Sequence, residues 1–148
     1  GINGKMSEFN AALGLLQLKH FQQIVEARQK IDDLYRYRLG SMPGIAILDP
    51  LPEVSRNYAY FPVFVQPGFP LARDELYQRL RDRGIFARRY FFPLISEFPM
   101  YRNLSSAQRV NLPVADNMAR EVLCLPIYPN LDPAMVDQVT TEISNAHG

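Results

Sequence analysis

The chain has 148 residues, of which 47% are hydrophobic and 21% charged, with a formal net charge of +1. That length suits one domain, able to bury roughly 68–70% of its unfolded surface. A near-neutral balance, with the basic residues spread along the chain, argues against a nucleic acid or a membrane surface as partner. The single cysteine, Cys124, sits in the apolar run Val122-Leu123-Cys124-Leu125 and reads as a buried small hydrophobe, neither nucleophile nor ligand. With no internal disulfide, no leader and no long apolar span to read, the cytoplasm is the expected compartment.

From Ser7 to about Leu39 nothing breaks a helix. Leu13, Leu16, His20, Ile24, Ala27, Ile31 and Leu34 recur in steps of three and four and define one helical face. A second row, Ala11, Leu15, Leu18 and Val25, widens the apolar surface of the first half. Ser7 is the expected N-cap with Glu8 in the first turn, and Gly40 with Pro43-Gly44 ends the element. At about 1.5 Å per residue the helix is roughly 50 Å long, which suits a link between domains or a subunit interface. Its first half is expected to be covered by protein outside this sequence, with His20 a packed or interface histidine. Its second half, with Arg28, Lys30, Asp32, Asp33, Arg36 and Arg38, reads as amphipathic.

A short strand is expected at Ile45 to Leu48, and a longer one from Asn57 to Val65, where aromatic and β-branched residues alternate. Leu71 to Arg83 reads as an amphipathic helix stopped by Gly84, and Ile85 to Phe92 as a strand ended by Pro93. A loop with short helical turns follows. Pro113 to Arg120 is one turn of helix or more, and Glu121 to Leu125 a short buried strand. Pro133 to Ala146 closes the chain as a helix, with Asp132 as N-cap and Pro133 at the first helical position. The order α-β-β-α-β-(α)-β-α predicts an α+β fold: a long N-terminal helix and a small, mostly antiparallel sheet with helices on one face.

Metal-ligand spacing is absent, no nucleophile–base arrangement is visible, and the carboxylates are scattered singly. Two features carry chemistry. The first is the opening, a glycine-bracketed polar loop running into a helix, where unpaired N–H groups and the positive dipole end attract anions. Asn3 adds an amide donor there and Lys5 a formal charge; the bland alternative is a linker remnant. The second is Gly84-Ile85-Phe86-Ala87-Arg88-Arg89-Tyr90-Phe91-Phe92-Pro93. Strand alternation puts Arg88 and Tyr90 on one face and Arg89 on the other. Guanidiniums beside stacked rings suit a phosphate or carboxylate. The alternative is an edge strand whose arginines are solvated or paired with surface carboxylates.

Taken together, Gly1-Ile2-Asn3-Gly4-Lys5-Met6-Ser7-Glu8-Phe9-Asn10-Ala11-Ala12-Leu13-Gly14, followed by Gln17-Leu18, resembles the opening signature G-x-N-x-[RK]-M-[ST]-E-x-x-A-A-x-G-x-x-Q-L. That signature belongs to the DegT/StrS family of pyridoxal-phosphate-dependent nucleotide-sugar aminotransferases. The resemblance continues through Arg28, Tyr35, Tyr58-Ala59-Tyr60-Phe61-Pro62, Arg88 to Leu94, and Glu121 to Pro129, covering essentially the whole chain. It implies the small C-terminal domain of a fold-type I enzyme: residues 1–6 an active-site loop, 7–40 the linking helix, 45–148 an α+β sandwich. It also implies that the Schiff-base lysine lies upstream, since Lys5, Lys19 and Lys30 are the only lysines and none matches its motif.

By the same resemblance the complete protein is a homodimer. It transfers an amino group, typically from glutamate, to a keto nucleotide-sugar. Asn3 matches the residue that contacts the pyridoxal 5'-phosphate of the opposite subunit through its phosphate. Lys5, Arg88, Arg89 and Tyr90 match positions near the substrate. Where many relatives have Pro-Leu-His, this chain reads Pro93-Leu94-Ile95-Ser96, so a substrate-contacting histidine is replaced. Two alternatives stay open: a stand-alone binding or dimerisation module built on the long helix, and a dehydratase or regulatory member of the same fold.

Overall fold

A computed structural model describes residues 4–147. Helix α1 runs Glu8–Leu39, capped by the Ser7 side chain, which accepts from the Asn10 N–H at 3.3 Å. Strands β1 (Ile45–Ile47), β2 (Phe61–Val65) and β3 (Val122–Leu125) form an antiparallel sheet in the order β1-β2-β3, with Ala46 opposite Phe64 and Val63 opposite Leu123. Helices α2 (Arg73–Asp82), α3 (Pro113–Glu121) and α4 (Pro133–Ser144) complete the fold. As the sequence implied, Asp132 caps α4 through its Oδ1, 2.8 Å from the Ala134 N–H, and Pro133 opens the helix.

Strand alternation sorts the sheet into two faces. Phe61, Val63, Val65, Leu123 and Leu125 join Tyr35, Leu39, Leu76, Leu80, Val136 and Ile143 in the main core. The opposite face carries a smaller cluster, Phe64, Val122 and Cys124, with Ala46 and Tyr90 against it. Every residue of β3 is therefore buried, which explains its unbroken apolar run. Tyr35 stacks on Phe61 at 4.8 Å and donates to the Pro126 carbonyl at 3.0 Å, pinning α1 to the segment after β3.

Only the last turns of α1 enter this core, through Ile31, Tyr35 and Leu39. Phe9 is 90% exposed and Leu18 71%, so the apolar first half lies uncovered in the chain, as the sequence implied. His20 is exposed too, with Nδ1 3.2 Å from the Gln23 amide oxygen.

One strand is shorter than the sequence predicts and another does not form. The 57–65 strand begins only at Phe61, because the Asn57 side chain accepts from the Ala59 N–H at 3.1 Å and Tyr58 takes a φ of 49°. A local side-chain turn of that kind competes with a ladder. The 85–92 segment is not a strand. Ile85 and Ala87 are buried and Phe86 and Arg88 exposed, the alternation of extended chain, yet only Arg88 pairs with Cys124. The backbone then turns at Tyr90 and Phe91, and Pro93 has no N–H to continue a ladder.

One apparently solvated residue is instead buried. Asp32 is 1% exposed and accepts from Arg36 Nε at 2.7 Å and from both terminal nitrogens of Arg56 at 3.2 and 3.1 Å. A carboxylate at that depth needs such pairing. The fork anchors the long connection between β1 and β2 to α1.

Candidate functional site

Gly84, at φ 74°, stops α2 and sends the chain back across the end of the sheet. Arg88 is held there by two backbone hydrogen bonds with Cys124, 2.9 Å from its N–H and 2.8 Å to its carbonyl. From that anchor its guanidinium donates to the Tyr90 hydroxyl and lies 5.5 Å from the ring centroid. The Tyr90 interaction holds the Arg88 cation above its ordinary range, while the guanidinium itself stays exposed. Tyr60 meets Tyr90 edge-on at 5.4 Å, and Phe91 packs against Tyr90 at 5.0 Å.

This corner forms one wall of a cleft of about 540 Å³. Its other walls include Cys124, Tyr128, Leu131 and Met135, so one cation and three phenols face an otherwise apolar floor. Burial pushes the Cys124 thiol up, against the opposing effect of a hydrogen bond with the Tyr90 backbone. The thiol therefore stays protonated and poorly nucleophilic, as its apolar run implied. A cavity of that size with few polar groups fits a stacked ring and an anionic group.

The sequence-derived candidates separate in space. Arg88 and Tyr90 share a face, as strand alternation predicted, and both line the cleft. Arg89 points elsewhere: its NH1 lies 3.0 Å from Asp74 Oδ1, and its guanidinium sits over the rings of Tyr77 at 4.6 Å and Phe92 at 5.0 Å. Lys5 is exposed and makes no ion pair among the described residues. Asn3 lies outside the described residues.

About 35 Å of helix separates Glu8 from Ile31, where α1 enters the core. One copy of this chain therefore does not bring Lys5 to Arg88. Ile95, where the resemblance implied a histidine, is 68% exposed at the start of a short 3₁₀ turn, Ile95–Glu97. Sequence reading missed Tyr60 and Tyr128 as walls of the cleft, because aromatic residues near strand ends look alike whether they pack or line a cavity.

The profile of the DegT/DnrJ/EryC1/StrS aminotransferase family matches residues 1–144, and the chain belongs to that family. It is 49% identical over 140 residues to a dTDP-4-amino-4,6-dideoxy-D-glucose transaminase of Escherichia coli, covering 95% of this chain and 38% of the relative. A Shigella dysenteriae transaminase of the same description is 42% identical over 143 residues, covering 97% and 38%. Among solved structures, S. venezuelae DesV in complex with a ketimine intermediate superposes with a TM-score of 0.88 at 27% identity, covering 100% of this chain and 38% of that one. The chain thus spans a little over a third of the length of the relatives it matches, and its fold is that of the corresponding part of a sugar aminotransferase.

Proposed function

We propose that this chain is the C-terminal domain of a pyridoxal-phosphate-dependent aminotransferase acting on a dTDP-linked keto sugar, with glutamate as amino donor. The observation that carries the reading is identity of 49% and 42%, over nearly the whole chain, to two transaminases of one description. A 4-amino-4,6-dideoxy product implies the matching 4-keto-6-deoxy sugar as substrate, since transamination exchanges a ketone for an amine. Pyridoxal phosphate, when bound, supplies the electron sink for that exchange. The Schiff-base lysine belongs to the part of the protein that precedes this chain, and the isolated chain is inactive.

Within this reading Arg88 binds an anionic group of the nucleotide-sugar, and Tyr60 and Tyr90 border it with their rings. Its exposure, and the lack of a carboxylate partner among the described residues, support that role for Arg88. The opening loop, with Asn3 and Lys5, serves the cofactor phosphate and the substrate of a second copy in a homodimer. Support comes from the helix length that keeps Lys5 away from Arg88 in one copy, and from the exposed Lys5 ammonium beside a helix N-terminus. That loop fits an anion, but it is only a rim: the hydroxyl of Ser7 is already engaged in capping α1. Among the described residues no helix is long and apolar enough to cross a membrane.

The test is turnover of dTDP-4-keto-6-deoxy-D-glucose with glutamate by the complete protein, read as 2-oxoglutarate release. Arg88→Gln is expected to raise KM for the nucleotide-sugar about tenfold while leaving KM for glutamate unchanged. A wild-type protein that binds the sugar but releases no 2-oxoglutarate would overturn the transaminase reading.

A further inference from the structure

Arg73 occupies the first position of α2, where the helix dipole disfavours a cation. Its burial is nonetheless near complete, at 5% exposure. Tertiary contacts account for it. NH1 donates to the Val122 carbonyl at 3.1 Å, and the guanidinium lies 5.2 Å from the centre of the Phe92 ring. Burial lowers the Arg73 cation from its ordinary range and Asp74 counters that. Arg73 Nε sits 2.9 Å from Asp74 Oδ1 at an angle too poor for a hydrogen bond, so the contact is ionic.

The same oxygen takes the hydrogen bond from Arg89. Arg73 and Arg89 thus converge on one carboxylate oxygen, and Phe92 receives both guanidiniums on its ring. Arg89 also stacks on Tyr77 of α2. Arg88 and Tyr90, the two residues that flank Arg89 in the chain, line the cleft. They have no ladder beyond the single Arg88–Cys124 pair to hold them.

We propose that Arg89 is a positioning residue and not a substrate ligand: with Asp74, Arg73 and Phe92 it clamps the Tyr90–Phe92 turn to α2 and so aims Arg88 and Tyr90 into the cleft. This rests on the aminotransferase reading for its kinetic consequence, though not for the clamp itself. A guanidinium held between two rings and a carboxylate has its faces covered and its charge already matched, which leaves it less to offer an anionic substrate. Asp74 is itself well exposed, so its isosteric replacement leaves the core intact.

The two roles predict opposite signs. In the complete enzyme Asp74→Asn is expected to raise KM for the dTDP-sugar about fivefold, with kcat within about twofold. Arg89→Gln should match it, and the double variant should be no worse than either single one. If Arg89 instead grips the substrate, Asp74→Asn releases it and KM stays level or falls, while Arg89→Gln alone raises it; that pattern overturns the proposal. Arg89→Lys, which keeps the charge but not the planar stack, should recover only part of the loss.

Hydrogen exchange at Tyr90, Phe91 and Phe92 in the same proteins supplies a readout independent of substrate. Faster exchange in both single variants supports the clamp, and unchanged exchange overturns it. If the wild type proves inactive on the sugar, the transaminase reading fails while exchange still decides the clamp.

Discussion

Burial acts on two titratable side chains with the same sign. It raises the Cys124 thiol and pushes the Tyr35 phenol well above its usual range. Unfolded, these groups lose protons near about pH 8.5 and about pH 10. A group whose folded value is the higher contributes its full stability below the unfolded value and loses it as pH climbs through the folded one. Stability should therefore be flat from neutrality to about pH 8 and fall above it. Urea midpoints at pH 7 and pH 9.5 measure the fall, and Cys124→Ala should make it shallower; identical pH slopes in the two proteins would reject the assignment to Cys124. The buried Asp32 shows how a single residue can mislead. Its neighbours Asp33 and Arg36 are at least partly exposed, and nothing in the local pattern separates it from them. The cause is Arg56, twenty-four positions away, and a contact at that separation leaves no periodic trace.

At the scale of elements, α1 behaves as two helices in one. Leu39 is fully buried, so Leu39→Ala should cost about 2–5 kcal/mol. Leu16, on the same helix, is 56% exposed, and Leu16→Ala should stay within about 0.5 kcal/mol. Urea denaturation of this chain, at concentrations low enough to keep it monomeric, checks both, and equal losses would show that the first half of α1 finds cover within the chain. Sequence served the helices well. Ser7, Asp132, Pro133 and Gly84 are local signals with local causes, and the boundaries they mark hold to within two residues. It served the strands less well, since a ladder needs a partner as well as an alternating pattern. The stretch after Gly84 has the pattern in Ile85 and Ala87 but meets β3 at one residue only. The candidate site divides in the same way. The common face of Arg88 and Tyr90 follows from backbone geometry, whereas the engagement of Arg89 by Asp74 depends on where α2 docks.

At the scale of the whole molecule, the uncovered surface is concentrated. Phe9, Leu13, Leu15, Leu16, Leu18 and Phe21 are each more than half exposed along one helix, an apolar surface on more than one side of it that water does not tolerate well. The isolated chain should self-associate, and replacing Leu15 and Leu18 by serine should shift it toward monomer; sedimentation at high concentration checks this, with a clean wild-type monomer as the contrary result. That surface also has a mechanical consequence. Because α1 is gripped by its own chain only from Ile31 onward, its remaining length is a lever with its fulcrum in the core. A tilt of about 5° at that fulcrum sweeps Glu8 through about 3 Å over an arm of about 35 Å. A hydrogen bond does not survive such a displacement. On the role proposed for Lys5, its accuracy is thus set by the surface the leucines rest against, and softening that contact would detune anion capture far from Lys5 itself.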